Sequence, residues 1–271
     1  MLSTWPAPVA EGGHRPRKRF GQHFLHDQSA IRRLVAAIAP RDGERLVEIG
    51  PGRGALTGPL LDAGAQILAI EIDRDLGDLL QAKYADRPGF SLLQGDALKI
   101  DYRQLAGKDK VRLVGNLPYN LSTPLLFWLL AQREAIADMH FMLQKEVVAR
   151  LAAVPATKAY GRLGVMVQYH CRVEALFEVP PAAFAPPPKV DSAVVRLRPR
   201  TTPEPPAADP QLFARLVNLC FQQRRKTLRN CLKQLLPAAA LEALPAPLDT
   251  RAETLSVAEL VELSNRIGDL S

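Results

Sequence analysis

Two hydrophobic periods alternate along the middle of the chain. Short runs rich in β-branched and aliphatic residues, Leu46–Ile49, Gln66–Ile72, Phe90–Gln94, Val111–Val114 and Met139–Leu143, read as strands. Between them Ala55–Ala63, Asp75–Tyr84, Thr123–Arg133 and Lys145–Ala153 carry helix-like patterns. Such alternation calls for right-handed crossovers and predicts an α/β fold with a mostly parallel sheet. Two later runs, Val173–Val179 and Ala193–Leu197, are separated by Pro180, Pro181 and Pro186–Pro188. They predict a hairpin-like pair on a stiff loop, closing an antiparallel edge.

Beyond this region the pattern changes. Pro199 to Pro210 holds five prolines in twelve residues and reads as a linker. After it, Leu212–Cys220, Arg225–Leu236 and Val257–Ile267 are amphipathic with no strand signal, and Ser256 with Glu259 forms a capping box before the last of them. The expected organisation is a basic flexible arm over 1–19, an α/β domain over 20–200, a Pro-rich linker over 201–210 and a helical domain over 211–271.

Composition narrows the class. At 271 residues, 47% hydrophobic and 23% charged, the chain is globular rather than disordered, collagenous or repetitive. The longest apolar run, Leu125 to Ala131, has seven residues, whereas a membrane span needs about 20. No stretch near the N-terminus is apolar enough for an export signal. Cys171, Cys220 and Cys231 are odd in number and include no C-x-x-C pair, and the five histidines show no H-E-x-x-H spacing. Neither a disulfide framework nor a metal site is expected, and a reducing, cytoplasmic setting is.

The net charge of +7 is segregated. Arg15, Arg17, Lys18 and Arg19 form one cluster; Pro210–Leu235 carries six cations (Arg215, Arg224, Arg225, Lys226, Arg229, Lys233) and no acid; from Leu236 onward two Arg face six acids. Clustered cations release condensed counterions on meeting phosphates, so a nucleic-acid partner is expected, with a merely solvated basic face as the alternative for either cluster.

The candidate chemistry begins where the first strand runs into Gly50-Pro51-Gly52-Arg53-Gly54 and a helix starting near Ala55. Glycines there let a ligand lie against the turn. Glu71 ends the second strand, 17 residues past Gly54, where an acid can accept hydrogen bonds from ribose hydroxyls. Asp96, after the third strand, is placed to meet an adenine amino group. Gly50, Gly52 and Ala55 also satisfy a dinucleotide pattern, so NAD stays open on the loop alone. Glu48 favours S-adenosylmethionine, whose ammonium group it attracts where a pyrophosphate is repelled.

Asn116-Leu117-Pro118-Tyr119 follows the fourth strand. An exocyclic adenine amine is a poor nucleophile because its lone pair is delocalised into the ring. Two acceptors aimed at its protons, the Asn116 side-chain carbonyl and the Leu117 backbone carbonyl, would pull the nitrogen toward tetrahedral geometry. Pro118 restricts Leu117 to extended conformations, and Tyr119 offers a face for the base, worth about 1–3 kcal/mol. An ordinary Asx–Pro turn is the competing reading.

Taken together, Gly21–Leu25, Glu48–Gly54, Glu71–Asp73, Gly95–Ala97, Asn116–Tyr119, Leu143–Val147, Phe184–Ser192 and Gln223–Thr227 resemble, in this order, the KsgA/RsmA family of bacterial 16S rRNA adenine dimethyltransferases. The likeness spans roughly residues 15–267. It implies a class I, Rossmann-like methyltransferase core with a seven-stranded, mostly parallel sheet and a small helical C-terminal domain. It further implies dimethylation of two adjacent adenosines in the 3′-terminal hairpin loop of 16S rRNA, on an immature small ribosomal subunit. By motif position His23, Leu25, Gly50, Glu71, Asp96 and Asn116 would line the S-adenosylmethionine site, with Glu48 and Gly52 beside them from the loop reading. Phe184 would be a second aromatic wall opposite Tyr119, stiffened by Pro186–Pro188. Arg17, Lys18, Arg19 and a helix bearing Arg224, Arg225, Lys226 and Arg229 would contact RNA phosphates. Position 23 departs from the family pattern, with His where Asn is frequent; His can still hydrogen-bond, so cofactor binding is expected to be retained. The chain is expected to act as a monomer. Two alternatives share these features: another DNA or RNA amino-methyltransferase, and a small-subunit assembly factor in which binding is primary and methylation secondary.

Overall fold

The computed structural model describes residues 23–270. The first of its two compact units comprises the described residues up to Lys145 together with Glu174–Arg198; the second comprises Glu146–Val173 with the described part of the chain from Pro199.

The first unit is built on a seven-stranded sheet. A two-residue strand β1 (Phe24–Leu25) and helix α1 (Gln28–Ile38) lead into β2 (Arg45–Ile49), α2 (Thr57–Asp62), β3 (Gln66–Glu71), α3 (Arg74–Lys83), β4 (Phe90–Gln94), α4 (Tyr102–Ala106), β5 (Val111–Asn116), α5 (Ser122–Leu130) and β6 (Ile136–Gln144). Helices α6 (Lys145–Leu151) and α7 (Arg162–His170) precede β7 (Cys171–Val179), β8 (Phe184–Ala185) and β9 (Ser192–Pro199). The sheet order is β4-β3-β2-β5-β6-β9-β7, with β2 parallel to β3 and β5, β5 parallel to β6, and β9 antiparallel to β6. All five early strands and the late strand pair therefore form as their patterns predict, with ends shifted by up to three residues.

The order also fixes where a ligand sits. The chain winds outward from β2 through β3 to β4, then returns to lay β5 on the other side of β2. Crossovers leave to opposite faces at that point, and the carboxyl ends of β2 and β5 border the resulting crevice. Strand interiors such as Leu46, Ile67, Ile70, Leu113, Val114 and Phe141 are almost fully buried, which holds those ends rigidly.

Helix starts are set by short acids. Asp27 Oδ1 accepts from Ala30 N at 2.7 Å before α1, and Asp73 Oδ1 accepts from Asp75 N at 3.1 Å before α3. Helix α1 was not anticipated, although Ile31, Leu34 and Ile38 bury one face at helical spacing. A separate antiparallel ribbon pairs β1 with β8, Leu25 opposite Phe184. It joins segments about 160 residues apart and has no local sequence signal.

In the second unit, α8 (Pro210–Gln222), α9 (Leu228–Leu232), α10 (Ala238–Ala243) and α11 (Val257–Gly268) join α6 and α7. The division differs from the expected 20–200 and 211–271, because 146–173 belongs with the helices. Tyr169 packs on Phe213 with ring centroids 4.6 Å apart, and Gln168 Nε2 donates to Leu151 O and Ala153 O at 2.9 and 2.8 Å. The proline-rich stretch is stitched to the same unit rather than spanning a gap: Ala207 N donates to the Tyr169 hydroxyl at 3.0 Å and Ala208 N to Asn265 Oδ1 at 2.8 Å. The Ser256–Glu259 capping box is present as predicted. Among the described residues no helix is long and apolar enough to cross a membrane.

Candidate active site

A cavity opens at the crevice between β2 and β5. His23, Leu25, Glu48, Gly50, Gly52, Glu71, Asp96, Asn116, Leu117, Pro118 and Tyr119 all line it, so the topology gathers eleven of the twelve cofactor and catalytic positions read from the sequence. The twelfth, Phe184, does not. Its ring is 2% exposed in a core cluster that includes Leu25, Val179 and Val194, because pairing of β8 with β1 turns it into the packing. The expectation that it walls the target base is corrected accordingly.

The glycine loop depends on close approach. Gly52 has φ +58°, and a Cβ there would stand 3.2 Å from the Phe24 ring. Gly54 has φ +77°, and its Cβ would fall 2.6 Å from the Tyr84 hydroxyl, which itself donates to Gly54 O at 2.9 Å. Tyr84, at the end of α3, thus clamps the loop from behind, a role sequence reasoning missed. Phe24 was also missed; it lines the cavity, and the Arg53 guanidinium lies 4.5 Å from its ring centroid.

Three carboxyls, of Glu48, Glu71 and Asp96, line this largely apolar cavity. Glu48 is buried and accepts from Thr57 Oγ1 at 2.6 Å. Burial, reinforced by the charge of Glu71, pushes its pKa up to about 7 against the hydrogen bond from Thr57. Glu71 is raised for the same leading reason, while backbone N–H groups of Asp73 (2.9 Å) and Gly52 (3.3 Å) donate to its two oxygens and oppose the shift. Asp96 accepts from Leu98 N at 3.0 Å, capping a short turn after β4. Ile72, next to Glu71, keeps 43% exposure at the cavity, an apolar surface beside an acid.

On the β5 side the Asn116 side chain is oriented by a single donor. Its Nδ2 donates to the His23 backbone carbonyl at 3.2 Å, which assigns Oδ1 as its remaining acceptor. Leu117 N donates to Met142 O at 3.1 Å, anchoring the tetrapeptide to β6. Tyr119 is half-buried; its hydroxyl pairs with Ser192 Oγ at 2.8 Å and its ring stacks on His23 with centroids 5.7 Å apart and an interplanar angle of 27°. Burial raises the Tyr119 pKa despite that hydrogen bond. His23 in turn donates from Nδ1 to Pro186 O at 2.8 Å.

The donor set fits S-adenosylmethionine. A buried acid, Glu48, would face the ammonium of its methionyl part, and a second, Glu71 at the end of β3, suits ribose hydroxyls. A pyrophosphate would meet Glu48 and Glu71 instead.

The expected RNA-contact residues divide. Arg17, Lys18 and Arg19 lie outside the described residues, as does the 1–19 arm. Residues 223–227 form a turn between α8 and α9, not the predicted continuous helix, since α9 starts only at Leu228 behind Thr227. Arg224 donates to Glu253 at 2.9 Å and to Lys158 O at 3.1 Å, and Arg229 pairs with Glu242 at 2.8 Å. Arg225 and Lys226 are exposed and form no ion pair among the described residues.

Residues 13–269 match the family model described as ribosomal RNA adenine dimethylase. The ribosomal RNA small subunit methyltransferase A of Pseudomonas aeruginosa is 57% identical over 258 residues, covering 95% of this chain and 96% of that one. Its counterpart from Saccharophagus degradans is 56% identical, covering 94% and 96%. Among solved structures, a dimethyladenosine transferase from Plasmodium falciparum superposes with a TM-score of 0.74 at 25% identity, covering 89% of this chain and 96% of that one. The 23S rRNA methyltransferase ErmE gives 0.69 at 27% identity, covering 90% and 99%.

Proposed function

The chain belongs to the ribosomal RNA adenine dimethylase family, and from that premise we propose that its cavity carries out methylation of two adjacent adenosines in the 3′-terminal hairpin loop of 16S rRNA. It is an S-adenosylmethionine-dependent rRNA adenine dimethyltransferase. On the finer reading the substrate is an immature small ribosomal subunit, met by a monomer in the cytoplasm.

The observation that carries the reading is the clamped amide of Asn116. With Nδ2 held by the His23 carbonyl, Oδ1 is kept as an acceptor for an adenine N6 proton and cannot flip to present a donor. Leu117, fixed to β6 through its N–H, supports a second acceptor in its own carbonyl. Tyr119 supplies the stacking face. These groups hold the amine pyramidal and directed, so positioning supplies most of the acceleration. Bound S-adenosylmethionine supplies a methyl group on a positively charged sulfur, leaving as a neutral thioether. Glu48 and Glu71 hold and orient that donor, and the amine proton passes to water after transfer. The target must be unstacked, because an amine inside a helix cannot reach the crevice.

Labelled S-adenosylmethionine incubated with immature small subunits, followed by mass mapping of the modified nucleotides, tests the proposal. Two adjacent dimethylated adenosines near the 3′ end are expected. Label elsewhere, or equal transfer to naked duplex DNA, overturns the substrate assignment.

A further inference from the structure

Tyr119 sits on the loop between β5 and α5, not on a regular element. Pro118 restrains the backbone before it, but the plane of its ring is set by what the side chain touches. Two contacts do that. The His23 ring backs one face, and the Ser192 hydroxyl meets the phenol oxygen at 2.8 Å. Ser192 is fully buried, begins β9 and pairs in register with Gln144 at the end of β6. A residue so placed cannot follow the ring if the ring moves. It is a fixed peg at the tip of a side chain carried on a loop.

We propose that Ser192 is a positioning residue for methyl transfer, holding the Tyr119 hydroxyl so that the ring presents its free face to the target adenine at the height of Asn116 Oδ1. The inference rests on the assignment of Tyr119 as the stacking surface. With the hydroxyl anchored, the ring is held at both tip and face, and the adenine meets a preorganised surface. Without the anchor, the ring regains rotamers that tilt the base away from the amide, and those must be frozen out at each turnover. Small misplacements of a reacting group are costly in rate, whereas the donor site at the glycine loop is untouched. Ser192 touches neither reacting atom, so its effect is transmitted through the phenol alone.

The test is a double-variant cycle on Ser192→Ala and Tyr119→Phe, with immature small subunits as methyl acceptor. Loss of one hydrogen bond predicts a fall of about five- to ten-fold in kcat/KM for the RNA in each single variant. Affinity for S-adenosylmethionine, read by calorimetry, should stay within about two-fold of wild type. The double variant should be no worse than the poorer single one, because both remove the same hydrogen bond. A purely structural serine gives a different pattern: lowered melting temperature, weaker donor binding, and losses that multiply with those of Tyr119→Phe. That pattern, or full activity in Ser192→Ala, overturns the proposal. If Ser192→Ala fails to fold, Tyr119→Phe cuts the same bond from the other end, and wild-type activity there is equally fatal. Tyr119→Ala separates the two levels: if it transfers normally, the stacking assignment itself is wrong, whereas a large loss beside a normal Ser192→Ala removes only the positioning role.

Discussion

The buried Thr57 hydroxyl donates to Glu48 Oε2 at 2.6 Å at the start of α2, behind the cavity that Glu48 lines. One polar side chain thus satisfies half of a carboxyl that the sheet otherwise strips of water. Burial of that carboxyl, only partly offset by the hydroxyl, shapes the pH behaviour of the ligand-free protein.

Burial raises the Glu48 pKa from 4.5 to about 7 in the folded chain. A raised folded value contributes stability that is complete below about pH 4.5 and is lost as pH rises through about 7. The gap corresponds to on the order of 3 kcal/mol at pH 8, an upper figure since Glu71 titrates beside it. Glu48→Gln keeps an acceptor for Thr57 and removes the charge. It should raise the ligand-free melting temperature at pH 8, leave it unchanged near pH 4, and weaken binding of S-adenosylmethionine. Melting curves across that range check the prediction; parallel curves for the two proteins refute it.

Gly54→Ala puts a methyl group against the Tyr84 phenol in a backbone conformation that favours glycine. A loss of about 1–3 kcal/mol in denaturant unfolding is expected, with weaker donor binding because the loop shifts. Tyr84→Phe removes only the hydrogen bond to Gly54 O and should cost about 1 kcal/mol. Equal costs would mean that the close approach is not what constrains the position.

Asn116→Ala removes both the acceptor at Oδ1 and the link to His23. Methyl transfer should fall by about 100-fold or more, by analogy with deletion of one preorganised hydrogen-bonding group at a reacting centre. Binding to immature subunits, measured by co-sedimentation, should persist. Co-sedimentation that falls in step with transfer would show that the residue supports the fold rather than the reaction.

Much of this site is legible in the chain because a parallel sheet places strand ends in a row. Glu48 and Gly50 at the end of β2, Glu71 as the last residue of β3, Asp96 just past β4 and Asn116 as the last residue of β5 each sit at the end of a short hydrophobic run. Once the strands are recognised, their shared edge follows from topology. Contacts that cross the chain had no such signature. His23 reaches Asn116 and Pro186, Tyr84 reaches Gly54, and Phe184 turns inward because β8 pairs with β1. Nothing local in the phenylalanine–proline block distinguishes a ring facing a ligand from one packed under a ribbon. The basic stretch after α8 misled for a related reason. Its period suggested a helix, but Thr227 starts a new one and Arg224 is consumed by Glu253.

That last pairing changes what should be expected of the cationic cluster. Arg224 holds Glu253 and the Lys158 carbonyl within the helical unit, so Arg224→Ala should lower the stability of that unit, by up to about 1 kcal/mol for a partly exposed pair. Its effect on RNA affinity should be small. Arg225 and Lys226, exposed in the turn beside it, have their charges available to phosphates. Replacing both with Ala should leave the melting temperature unchanged and weaken subunit binding. Every phosphate that goes unneutralised lowers the slope of log K against log salt by about 0.7–0.9, so the pair should flatten it by roughly 1.5. Binding titrations at several salt concentrations distinguish the cases. An unaltered slope in the Arg225, Lys226 double variant would make the turn an ordinary solvated surface and shift the RNA interface to other cations of the chain.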